Sequence, residues 1–155
     1  MDKQPELTPQ EAQALATAAA DAMWQRDATA HALGMERIEA TPGKATLRMR
    51  VRPDMANGHH IAHGGMIFTL ADTAFAYACN SYNLNTVASA CHIDFLAPAR
   101  EGDLLEARGE ERSASGRTGV YDVTVSVVGG PVVALFRGKS YRIRGEVTTS
   151  FTDAA

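Results

Sequence analysis

A chain of 155 residues, 45% hydrophobic and 21% charged, has the make-up of one globular domain with its own core, which excludes a disordered or fibrous protein. Its formal net charge of -3 argues against a nucleic-acid partner, because affinity for a polyanion comes from clustered Lys and Arg. Cys79 and Cys91 both sit in apolar segments and read as buried hydrophobes in a reducing compartment rather than as a disulfide; with no basic-apolar leader and no apolar run of roughly 20 residues, the expectation is a cytoplasmic protein that does not enter membranes.

In chain order, Thr8, Pro9 and Glu11 open the first predicted helix: an N-cap, a proline at the first helical position and a glutamate at capping-box spacing. Leu15, Ala18, Ala19, Ala22 and Met23 give it one apolar face, and residues 30–34 read as a break into the next element. Residues 44–51 then alternate, with Ala45, Leu47, Met49 and Val51 on one side, as a half-buried strand does. After Gly64 and Gly65 the period returns to that of a helix: Ile67, Leu70, Ala71, Ala74, Phe75 and Ala78 make it apolar almost all round, hence buried. Four β-patterned runs follow, 86–99, 102–115, 117–128 and 131–143, divided by stretches rich in Gly, Pro and Ser. Residues 146–155 show no apolar period and are expected to form a flexible tail.

Helix, strand, long helix and four consecutive strands point to an α+β domain, an antiparallel sheet with one very apolar helix on its face. The expected division is a helical extension over 1–40 packed on the same domain, a core domain over 41–145, and the tail. The runs "VTVSVV" and "PVVALF" hold more apolar residues than a sheet with one wet face needs, which points to oligomerisation.

Asp72 is the one charge in that second helix. Burying an ionised carboxylate costs several kcal/mol unless it is paired, and no Lys or Arg occurs between Arg52 and Arg100. Two readings stand open: Asp72 bonds the hydroxyl of Thr69 or Thr73 and is structural, or it is kept for chemistry. The helix entry weighs on the second side, because His63-Gly64-Gly65 puts unpaired amides and the positive end of the helix dipole where a polarised carbonyl would sit. A carbonyl held there and a carboxylate able to attack it, or to activate a water against it, make an acyl-transfer site. Eight positions separate Gly64 from Asp72, about 12 Å along the axis, too far for both to serve one carbonyl. Two antiparallel copies of the helix about a two-fold axis would bring them together, so a homodimer is predicted.

Other chemistry finds less support. His59, His60 and His63 lack a neighbouring Cys or acid that would close a metal site, and no metal is expected. Ser81, Ser89 and Ser126 lack a nucleophile-elbow setting. Arg117, Arg137 and Lys139 are either contacts for phosphates or a solvated strand face, and Gly138, between the last two, suits close ligand approach.

Asn57-Gly58, then His63-Gly64-Gly65, then Leu70-Ala71-Asp72, followed by the stretches 92–109, 116–125 and 134–143, resembles the PaaI-type acyl-CoA thioesterases of the hotdog-fold superfamily, in their phenylacetyl-CoA branch, over roughly residues 41–144. The resemblance implies a five-stranded antiparallel sheet wrapped round the long helix, with the N-terminal helix as an addition, and hydrolysis of an acyl-CoA, phenylacetyl or ring-hydroxylated phenylacetyl, with no cofactor beyond the coenzyme A of the substrate. It also implies Asp72 as nucleophile or general base, the Gly64 amide polarising the thioester carbonyl, Asn57 orienting water or acyl group, and His63 supporting the loop. Gly65, Thr73 and Phe75, with Tyr77 and Tyr82, would line the acyl group, and Arg117, Arg137 and Lys139 would meet the phosphates. Dimers with sites at the interface, commonly paired into tetramers, are the implied assembly. A hydratase or dehydratase of the same fold would need a His facing the substrate. A non-catalytic acyl-CoA sensor would have no use for Asp72.

Overall fold

The computed structural model describes residues 6–149. Its elements are α1 (Pro9–Trp24), α2 (Ala28–Ala32), β1 (Glu36–Thr41), β2 (Lys44–Arg50), α3 (Gly64–Cys79), β3 (Leu84–Phe95), β4 (Leu104–Ser115), β5 (Thr118–Val127) and β6 (Val132–Glu146). All neighbouring strands pair antiparallel in one sheet of order β1-β2-β4-β5-β6-β3, and α3 lies across its inner face.

The five expected strands are present and β1 is a sixth. Its sequence, ERIEAT, has no apolar alternation, Ile38 is exposed, and a bulge between Arg37 and Glu39 breaks its register, so the pattern that marks a strand is missing. The first predicted helix is also two: α1 stops at Trp24, and the Asp27 carboxylate accepts from the Ala30 amide at 3.0 Å to start α2. Of its predicted apolar face Ala19 is buried and Ala18 is exposed, with Ala16 and Ala20 buried instead. The N-terminal segment is tied to the domain by the Tyr77 hydroxyl donating to Asp27 at 3.1 Å, by the Gln13 side chain donating to the Ala40 carbonyl at 2.9 Å, and by Trp24 set edge-on to Tyr77.

Two glycines let α3 sit close to the sheet. A Cβ on Gly109 would lie 3.2 Å from the Ala74 carbonyl oxygen, and one on Gly138 would lie 2.8 Å from the Phe75 ring. Leu70, Ala71, Ala74 and Phe75 from α3 meet Leu47 and Met49, Leu105 and Ala107, Val123 and Val125, and Phe136 in one continuous core.

The chain beyond β6 departs from the expected loose tail. Val147 is 2% exposed and its amide donates to the Asn83 carbonyl at 3.2 Å, while the Thr148 amide donates to the Asn83 side chain at 3.0 Å. Asn83, in the left-handed region at φ 62°, thus supplies two acceptors that dock this segment; residues 150–155 of the predicted tail lie outside the described residues.

The two sheet edges differ. β1 is six residues long and packs beside α1, whereas β3 is a 12-residue edge with most of its side chains exposed. A stripe of α3 that includes Gly65, Thr69, Asp72 and Ala76 is also left partly uncovered.

Candidate active site

The entry to α3 is built by the loop before it. The Asn57 side-chain oxygen accepts from the amides of His59 at 2.9 Å and Ile61 at 3.4 Å, and the Asn57 amide donates to the Ile61 carbonyl at 2.8 Å. That closes a tight turn in which His60 takes a positive φ of 60°, a region few non-glycine residues enter. The turn is fixed to the body by the Ala62 amide on the Ala99 carbonyl and the His63 amide on the Met55 carbonyl, both 2.7 Å. Among the described residues nothing accepts from the Asn57 side-chain NH2 group.

His63 is the N-cap. Its Nδ1 accepts from the Gly65 amide at 2.9 Å, and its carbonyl accepts from the Met66 and Ile67 amides at 2.9 and 3.3 Å. Of the amides at the helix mouth, Gly64 alone has no acceptor among the described residues. The Gly65 amide, expected to face substrate, is instead spent on the cap. A Cβ on Gly64 would come within 3.1 Å of the Phe95 ring, which is 53% exposed at the end of β3. Phe95 is the neighbour that sequence reasoning missed: it stands in a β-patterned run where an aromatic residue reads as core.

Asp72 lies partly buried two turns further on. Thr69 Oγ1 donates to the Gly65 carbonyl at 2.8 Å and Thr73 Oγ1 to the Thr69 carbonyl at 2.7 Å, so both hydroxyls are taken by the helix itself. The Asp72 carboxylate has no hydrogen bond or ion pair among the described residues, which removes the structural reading as it was framed. Burial without a partner pushes its pKa above the usual carboxylate value. Burial also raises the thiol of Cys79, to about 12, with a smaller push from the Asp72 charge, and the thiol of Cys91 moves up for the same two reasons. Both cysteines are free; Cys79 is buried as expected, but Cys91 is exposed, because β3 is an edge strand.

The remaining candidates scatter. Phe75, expected to line the acyl group, is 1% exposed and packs between Tyr121 and Phe136 in the core; Gly138 makes room for that ring rather than for a ligand. Tyr77 is likewise core. Arg137 is held by two bonds to Asp122, at 2.7 and 2.9 Å, and lies with Lys139 on the outer face, since the alternate positions Gly138 and Ser140 face α3. Arg117 stands at the β4–β5 turn, beside Tyr82 in the wall of a cavity on the inner side. His59 and His60 are exposed on the loop.

A lone amide at a helix mouth can polarise a carbonyl, and an unpaired carboxylate of raised pKa can take a proton from water. The six-stranded antiparallel sheet over a buried helix is the hotdog fold of the thioesterases, and a family model described as Thioesterase superfamily matches residues 59–134. The acyl-coenzyme A thioesterase PaaI of Escherichia coli is 52% identical over 129 residues, 83% of this chain and 92% of that one. The solved structure of the E. coli PaaI protein from the phenylacetic acid degradation operon superposes with a TM-score of 0.85 at 50% identity, covering 86% of this chain and 97% of that one. A Streptococcus mutans protein bound to acetyl CoA superposes at 0.69 with 26% identity, covering 72% and 90%. The chain belongs to the PaaI-type acyl-CoA thioesterases.

Proposed function

We propose that this thioesterase hydrolyses phenylacetyl-CoA or its ring-hydroxylated forms to the free acid and coenzyme A, at sites shared between two protomers. The observation that carries the reading is the pairing of an acceptor-less Gly64 amide with a partner-less Asp72 on one helix, too far apart to act on one carbonyl within a chain. The open β3 edge and the uncovered stripe of α3 bearing Asp72 offer the surface on which a second copy would pack antiparallel. In each site the Gly64 amide of one protomer polarises the carbonyl. Asp72 of the other takes a proton from the attacking water, and the free Asn57 amide group orients that water. The arylacetyl preference is supported by the PaaI relative's place in a phenylacetic acid operon. Pairing of dimers into a tetramer and a cytoplasmic location complete the proposal.

Release of free thiol from phenylacetyl-CoA and from aliphatic acyl-CoAs tests the activity, with the aromatic substrate expected to be turned over best. Shared sites are tested by co-expressing differently tagged Asp72→Asn and Gly64→Pro chains and isolating the mixed dimer. One of its two sites draws both intact groups, so about half of wild-type activity should return; a mixed dimer as dead as its parents would place each site within one chain. Light scattering reads the number of protomers.

A further inference from the structure

At the C-terminal end of β3, Ile93 pairs with Phe136 and Phe95 with Ala134, and both partners are buried in the core. Paired residues share a face, so Ile93 and Phe95 both point to the inner side of the sheet, towards α3. Ile93 is accordingly half-buried against the core, but Phe95, two residues on, is 53% exposed. The helix explains the difference: α3 opens on Gly64 and Gly65, which have no side chain to cover a ring. The tip of the Phe95 ring lies instead on Gly64 itself, where a Cβ would come within 3.1 Å of Cζ and 3.4 Å of Cε1. Phe68, one turn after Gly64 and on the same side of α3, is set edge-on to Phe136 at 5.4 Å. On helix and strand, then, the neighbours of the unpaired Gly64 amide are carbon: Phe68, Ile93 and Phe95.

An aromatic side chain aimed at the inner face yet left more than half exposed gains stability from whatever apolar group covers it. A carbonyl oxygen that accepts from the Gly64 amide at about 2.9 Å fixes where such a group would lie. In an arylacetyl thioester one methylene separates carbonyl from ring, so the ring centre stands about 4 Å from the carbonyl carbon. That lets the two rings meet at the roughly 4.5–7 Å centroid separation of aromatic pairs while the carbonyl stays on the amide. The pantetheine arm, on the sulfur side of the same carbonyl, carries two amides that a wall of carbon would leave unpaired. We propose that Phe95 is a specificity-determining residue of the hydrolysis: its ring packs against the aryl ring of the thioester held by Gly64 of the same protomer, and so selects aromatic over saturated acyl groups. The inference rests on the Gly64 amide being the donor to the thioester carbonyl.

The test compares phenylacetyl-CoA with cyclohexylacetyl-CoA, which share one carbon skeleton and differ in the aromaticity of the ring. Wild-type kcat/KM should favour phenylacetyl-CoA. Phe95→Leu keeps an apolar side chain and removes the ring, and should cut that preference about three- to tenfold, the worth of an aromatic pair; Phe95→Tyr should keep it. Titration of Asp72→Asn, with and without Phe95→Leu, gives the same comparison as affinities. It reads the ring contact even if neither thioester is hydrolysed, an outcome that would remove the hydrolysis alone. Equal wild-type handling of the two ligands overturns the inference. So does a preference that survives Phe95→Leu, whether activity falls on both substrates alike or on neither, since the ring would then touch the pantetheine arm or serve packing only. Thermal melting separates either result from misfolding, and Phe95→Met repeats the comparison with a second side chain that has no ring.

Discussion

α1 and α3 are each 16 residues long and each opens on a side-chain cap, yet they finish that task differently. In α1 the Thr8 hydroxyl accepts from the Glu11 amide at 3.2 Å, the Glu11 carboxylate accepts from the Thr8 amide at 2.8 Å, and the first helical residue, Pro9, has no N–H to satisfy. In α3 the cap is a histidine ring that satisfies Gly65, and the first helical residue is a glycine whose N–H is left over. The same contrast holds for their acids. Asp21 of α1 pairs with Arg37, whereas Asp72 of α3 pairs with nothing among the described residues. A helix built for stability closes its accounts; α3 leaves one donor and one carboxylate open, and these are the two groups the proposed hydrolysis needs.

The largest break in that contrast is Asp72→Asn. It keeps the shape of the side chain and removes the base, so kcat should fall about 10²–10⁴-fold. Stability should move the other way. Because the folded state raises the Asp72 pKa, the carboxylate binds its proton more tightly folded than unfolded, and ionisation costs stability as pH rises from the ordinary value of 3.8 through the raised one. The variant should therefore melt above the wild type at neutral pH, with the gap closing as pH falls below the ordinary value. A melt lower than wild type at pH 7 would mean that Asp72 is paired after all.

Next comes Gly64→Pro, which gives α3 the first residue of α1. Proline suits that position, and His63 already has the extended backbone, ψ 131°, that a following proline demands. Gly64→Ala is the control, since it brings the same Cβ against Phe95 but keeps the amide. Proline should lower kcat about 10²–10³-fold more than alanine does, the cost of an oxyanion donor. Equal activities would show that the glycine serves only to admit Phe95.

The caps come third. Thr8→Ala and His63→Ala should each cost about 1 kcal/mol, roughly 3 °C in Tm for a chain of this size. Only His63→Ala should also lower kcat, because releasing the Gly65 amide loosens the backbone that aims Gly64. If Thr8→Ala lowered kcat as much, α1 would belong to the site.

Which of these features the sequence discloses follows from their range along the chain. Gly64, Asp72 and the Thr8–Glu11 box declare themselves because a helix's own spacing carries them, and a lone charge in an apolar run is visible without coordinates. The two residues misread were set by contacts between elements distant in the chain. Arg137 is neutralised because the register of β5 on β6 puts Asp122 opposite it, and Phe75 is core because Gly138 stands under its ring. β1 was hidden for a different reason: an edge strand of charged residues has no buried face to write into its sequence.

The smallest expected effect tests the silence of the threonines beside Asp72. Thr73→Val keeps the branched shape and removes a hydroxyl that already donates to the Thr69 carbonyl one turn back. Its loss should change stability by no more than about 0.5 kcal/mol, since such back-bonds within a helix add little, and kcat should stay within about twofold of wild type if the hydroxyl touches neither water nor thioester. Thr69→Val should behave alike. A fall in kcat approaching that of Asp72→Asn would mean that the Thr73 hydroxyl turns to the carboxylate when substrate is bound, and α3 would then satisfy its acid from within the helix, much as α1 satisfies its own cap.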